Sequence, residues 1–142
     1  MLVGPAWLED QRLVFHKLSL NDGSAKCDVV PVVGDAVYGV LYEMSEAQLS
    51  VLDEFEGLHR GYERRTVSVQ ANEGQRFDAQ IYVATLIDSR VRPYDWYKRH
   101  VLEGAREAGL PQDYIRRIET MAAVADSDAQ RAARELAVYG ES

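Results

Sequence analysis

Five consecutive residues, Asp53-Glu54-Phe55-Glu56-Gly57, gather carboxylates where a helix is expected to stop. A helix C-terminus carries the negative pole of the helix dipole, so each acid there costs about 0.3 to 1 kcal/mol of helix stability. The same field, with burial behind Phe55 or a neighbouring tyrosine, raises a carboxylate's pKa toward the range where it can take up and return a proton. Glu56, directly before a turn-forming glycine, is the acid best placed to face a cleft. A solvated acidic helix end in an acidic chain accounts for the same residues, and the motif alone favours that plainer reading.

Tyrosine is the second unusual resource, with eight residues against two tryptophans and three phenylalanines. Its rigid apolar body and polar tip suit a pocket for a small polar molecule, and equally suit a core whose rim carries the hydroxyls. His59-Arg60 and Glu63-Arg64-Arg65 could bind a substrate carboxylate or form ordinary surface charge. Other chemistries find little support. His16, His59 and His100 are isolated, and Cys27 is the only cysteine, so no paired metal-ligand spacing, CxxC motif or internal disulfide is available. No serine sits in a GxSxG elbow, and no glycine-rich phosphate loop occurs.

The elements that must position these residues follow from pattern. Arg12 to Leu20 alternates as a strand and ends at the turn signal Asn21-Asp22-Gly23-Ser24. Cys27 to Val33 is predicted as a short or edge strand, because Pro31 cannot donate to a ladder. Ala36 to Tyr42 is apolar nearly throughout and reads as a separate, central strand. Ser45 and Gln48 form a capping box that opens a helix running to Glu56, with Gly57 as C-cap. Strands near Tyr62 to Val69 and Phe77 to Ala84 flank the polar turn Ala71 to Gln75. After Arg92-Pro93 the spacing predicts helices over Tyr94 to Ala108 and Gln112 to Ala123, and a last, loosely docked one from about Ser127. Strands with one inserted helix, then a helical segment from about residue 93, make an α+β chain that we read as a single domain over 1–142.

Composition is that of an ordinary globular protein, with 46% hydrophobic and 27% charged residues. A net charge of -7 is the wrong sign for a nucleic-acid backbone or an anionic membrane surface. The N-terminus lacks a basic and apolar leader, no run is long enough to span a membrane, and a lone cysteine fits a reducing compartment, so a cytoplasmic location is expected.

With these residues in hand, the sequence resembles the γ-glutamylcyclotransferase family, which releases 5-oxoproline from γ-glutamyl compounds. The resemblance rests on Cys27-Asp28-Val29-Val30-Pro31 leading to the run from Gly34 to Tyr42, on Leu52 to Gly57, and on Tyr62. It continues through Ile81-Tyr82, Tyr97, and Gly104-Ala105 by way of Gly109-Leu110-Pro111 to Tyr114. It implies a small mixed β-barrel of about five to six strands with flanking helices. It also implies a γ-glutamyl amino acid or amine as substrate, with no cofactor. Glu56 falls at the place of the family's catalytic glutamate, acting as general base and then general acid, and Tyr97, Tyr82 and Tyr62 match tyrosines around the substrate. Family members also carry a first strand ending in a Tyr-Gly-Ser-Asn loop whose amides hold the substrate, and no such motif occurs here. A strand edge left unpaired by its absence leads us to expect a homodimer or a rearranged N-terminus. The competing expectation is a non-catalytic binding or structural protein on the same scaffold.

Overall fold

A computed structural model describes residues 2–140. Its elements in chain order are β1 (Leu2–Leu18), β2 (Ala25–Tyr42), α1 (Glu46–Glu56), β3 (Tyr62–Ala71), β4 (Arg76–Ala84), α2 (Asp95–Glu107), α3 (Gln112–Glu119) and α4 (Ala129–Leu136). The strands form one antiparallel sheet in the order β2-β1-β3-β4.

This is an α+β arrangement, but the sheet has four strands rather than five or six, and no ladder closes it among the described residues. The expected strands Cys27 to Val33 and Ala36 to Tyr42 are one continuous strand, β2. The break suggested by Pro31 and Gly34-Asp35 is absorbed by an irregularity in register opposite Asp10, whose φ of 59° is left-handed and whose side chain accepts from Gly34 N at 3.0 Å. The stretch from Ala36 to Tyr42 is therefore not central: β2 lies at the edge, and helices cover its apolar side chains instead of strands. Val37 and Tyr38 pack against a core made by Leu13 with Leu102, Ala105, Leu110, Tyr114, Ile115 and Ile118. Ile118 is 1% exposed, and burying one such side chain contributes about 1.5 to 3 kcal/mol.

Two hairpins, β1-β2 and β3-β4, are joined by a ladder only where Ala6 and Trp7 pair with Ala71 and Gln70, among the described residues. At the far end of β1 a single bridge joins Lys17 to Ile87, and the buried carboxylate of Asp28 accepts from Ala84 N at 2.9 Å. That acceptor ties β2 to β4 where no ladder does, and its second oxygen is bonded to the His16 ring.

Helix α1 forms as its sequence requires. Ser45 accepts from Gln48 N, Gln48 returns a bond to Ser45 N, and Gly57 takes the left-handed C-cap with φ 76°. The turn beyond it is tightly bonded: Leu58 N donates to Asp53 O at 2.9 Å, Arg60 N to Gly57 O at 2.8 Å, and His59 N to Tyr62 O at 2.7 Å. Glu56 and Tyr62 are thus held on either side of one rigid corner. In the helical segment, α3 ends at Glu119, short of Ala123. Helix α4 starts at Ala129 behind an Asp128 cap and is anchored by Arg131, whose Nε and Nη2 each lie 2.6 Å from the Asp126 carboxylate. That carboxylate also accepts from Trp96 Nε1 at 2.9 Å.

Candidate functional site

The acids at the end of α1 separate into two kinds. Asp53 and Glu56, three residues apart, share a helix face. Asp53 is fully committed: one oxygen accepts from the Tyr82 hydroxyl and the other from Arg64 Nη1 at 2.6 Å. Glu54 is exposed. Glu56 is half-buried and makes no hydrogen bond or ion pair among the described residues. Burial pushes its pKa above the ordinary carboxylate value, against a smaller opposing pull from the Lys17 ammonium. The shielding does not come from Phe55, which is 86% exposed. The groups near enough to feel the charge of Glu56 are Lys17, Cys27, Tyr62 and Tyr82.

Tyr62 and Tyr97 converge from β3 and α2 on one residue of β2. The Tyr62 hydroxyl donates to Cys27 O at 2.7 Å, while the Tyr97 hydroxyl accepts from Cys27 N at 3.1 Å. Burial holds both phenols above their ordinary pKa, so they remain protonated donors at neutral pH. Burial also pushes the Cys27 thiol up to about 11, which removes it as a nucleophile. Tyr82 stacks edge-on against Tyr62 at 6.3 Å, with its own pKa raised to about 12 by burial and by the Asp53 carboxylate.

The four residues singled out from the sequence therefore occupy one neighbourhood, with distinct attachments. Tyr62 and Tyr97 grip the backbone of Cys27, Tyr82 is tied to Asp53, and Glu56 is unbonded. Of the basic residues proposed for a carboxylate, Arg64 pairs with Asp53 and Arg65 with Glu63, while His59 and Arg60 are exposed on the turn. The cation beside Glu56 is instead Lys17, which the sequence reading passed over. Its signal was the strand alternation, which puts Lys17 in phase with Leu13 and Phe15 rather than with the solvent-facing positions.

A hollow of about 610 Å³ lies elsewhere. It runs between β2 and the α2-α3 pair, is lined by Leu13, Val37, Tyr38, Ala105 and Tyr114, and reaches the tyrosine cluster only through Cys27. Among its lining residues Glu107 is the acid, and Glu56, Tyr62, Tyr82 and Tyr97 do not line it. No group of three or more His, Cys, Asp or Glu is placed to hold a metal ion among the described residues. No helix among the described residues is long and apolar enough to cross a membrane.

Comparison with known proteins bears on this arrangement. The model of the AIG2-like family matches residues 36–118. Gamma-glutamylcyclotransferases from Mus musculus, Bos taurus and Homo sapiens are 35%, 36% and 35% identical over 89 residues. That is 62% of this chain and 47% of each relative, so the chain spans about half the length of the curated relatives it matches. Among solved structures, a gamma-glutamyl cyclotransferase superposes with a TM-score of 0.79 at 26% identity, covering 94% of this chain and 85% of its own. YkqA from Bacillus subtilis shares the fold at a TM-score of 0.71 and 22% identity, covering 86% of this chain and 46% of its own.

Proposed function

The chain belongs to the AIG2-like family, and from that premise we propose that it converts γ-glutamyl amino acids or γ-glutamyl amines to 5-oxoproline and a free amine. The observation that carries the proposal is Glu56: a half-buried carboxylate without a bonded partner, its pKa raised by burial, at the end of a helix capped to hold it there. The substrate's α-ammonium gives a proton to Glu56, and the freed amine attacks its own γ-carbonyl. A five-membered ring closes and the C–N bond to the leaving group breaks; Glu56 returns its proton to the departing amine and passes on the second proton that the ring nitrogen sheds in becoming a lactam N–H, so the amine leaves as an ammonium. Proton count and charge balance without a cofactor. Because the attack is intramolecular, the protein's task is to hold the folded conformer and place the acid.

Tyr62, Tyr82 and Tyr97 border the substrate in this reading, supported by their gathering around Glu56 and Cys27. The same reading takes residues 1–142 as one domain and the curled sheet as an incomplete barrel, supported by the Lys17–Ile87 bridge and the Asp28–Ala84 bond. It places the reaction in the cytoplasm and allows a homodimer through the open β2 edge, with nucleic acid and membrane as unsuitable partners for a charge of -7.

The experiment is 5-oxoproline release from a panel of γ-glutamyl amino acids and γ-glutamyl amines. Release from at least one member is expected. No release from any, by a folded chain, would overturn the enzymatic reading in favour of a binding protein on this scaffold.

A further inference from the structure

Lys17 is a lysine in a place that lysines rarely occupy: it is 8% exposed. Its ammonium lies 4.8 Å from the centroid of the Tyr62 ring. A Cβ at position 61 would stand 2.8 Å from its Cε and 3.0 Å from its Nζ, so Gly61 leaves the space that this side chain fills. Yet Nζ donates no hydrogen bond and joins no ion pair among the described residues. The neighbouring cations are satisfied, with Lys26 on Asp22 at 3.2 Å and Arg64 on Asp53 at 2.6 Å. The carboxylate that acts on Lys17 most strongly is Glu56, and the two stop short of bonding. No buried side-chain nitrogen or oxygen lacks a partner among the described residues, so the unbonded Lys17 ammonium and the half-buried Glu56 carboxylate both keep contact with solvent, two opposite charges that a ligand can reach and join.

We propose that Lys17 and Glu56 together read the zwitterionic head of an α-amino acid, Lys17 taking the α-carboxylate while Glu56 takes the adjacent α-ammonium. The idea rests on the γ-glutamyl reading above and narrows its substrate class. A γ-glutamyl group carries both charges on one carbon, so a single ligand offers one partner to each of the two side chains. Fixing the carboxylate on Lys17 also fixes which group faces Glu56, so the amine that must lose a proton is the one presented. The site thereby requires a free α-carboxylate. Compounds whose α-carboxylate is amidated are rejected even when the γ-amide is unchanged.

The test uses L-γ-glutamylalanine and its α-carboxamide, each with the wild-type chain and with Lys17→Met. Removing either charge should raise KM about 10- to 100-fold with a much smaller change in kcat. Removing both should cost little more than removing one, which a loss of folding alone would not produce. The α-carboxamide arm leaves the protein untouched, so it holds even if the Lys17 variant folds poorly. If the wild type releases alanine equally well from both, forming 5-oxoproline from the acid and 5-oxoprolinamide from the amide, the Lys17 assignment is overturned while the γ-glutamyl reading stands. If the wild type releases nothing, the γ-glutamyl reading falls, and calorimetric titration of the same two compounds decides Lys17 by itself. Binding of the free acid that is lost with the amide and in Lys17→Met supports it. Binding without that discrimination, or no binding, overturns it.

Discussion

At the bend of β2, Asp35 receives Arg12 Nε at 2.7 Å and both terminal nitrogens of Arg117 at 2.8 and 2.7 Å, whereas at the end of α1 Glu56 receives no donor. Both carboxylates are shielded from water, and their environments push them in opposite directions. The guanidiniums of Arg117 and Arg12 hold Asp35 well below the ordinary carboxylate range, while burial lifts Glu56 above it. A paired charge is spent on structure: Asp35 ties β1, β2 and α3 together. In the proposed function the unpaired one is held in reserve for a ligand, and its cost to stability accords with that role.

The largest effect that separates the two regions concerns stability. Asp35→Asn should lower the thermal midpoint by about 4 to 8 °C at neutral pH, because two guanidiniums lose their charged acceptor. Asp35 has a depressed pKa in the folded state, so its contribution is present above the unfolded pKa of about 3.9 and is lost as pH falls below it. The gap between wild type and variant in a pH series of melts should therefore narrow toward acid. A gap independent of pH would mean that Asp35 acts by packing alone.

A smaller effect probes the neighbour of Glu56. Asp53→Asn keeps the shape of the helix end but weakens the acceptor for Arg64 and Tyr82. Turnover should fall by a factor of about 3 to 10, measured as initial rates of 5-oxoproline release. A loss as large as that of Glu56 would exchange their roles.

The smallest is a gain. Glu56→Gln should raise the melting temperature by about 1 to 2 °C at neutral pH. A folded pKa above the unfolded one means that stability is fully present below about pH 4.3 and lost as pH rises through the folded value, and glutamine escapes that loss. Wild type and variant should melt together in acid and diverge toward neutrality. Divergence in the opposite direction would show Glu56 to be a structural charge like Asp35.

Much of this was legible where the signal is local. Ser45, Gln48 and Gly57 sit within the helix they bound, and their capping chemistry sets α1 and hence the position of Glu56. The β3-β4 hairpin was equally readable from alternation and its polar turn. What escaped depends on partners distant in sequence. Nothing near Pro31 announces that Asp10 will absorb the irregularity and let β2 run on as one strand. The attachment of Tyr82 to Asp53 spans 29 residues and follows from the sheet, not from either residue's neighbours. Lys17 was hidden by its type, since a lysine in a strand ordinarily marks the wet face.

The most direct test of the account is the rate of 5-oxoproline release by Glu56→Gln beside that of the wild type, on the best substrate of the panel and at equal fold content. The account predicts a fall in kcat of about 10²- to 10⁴-fold, as expected when a positioned proton carrier is removed. A variant that retains turnover within a few-fold of wild type would contradict it.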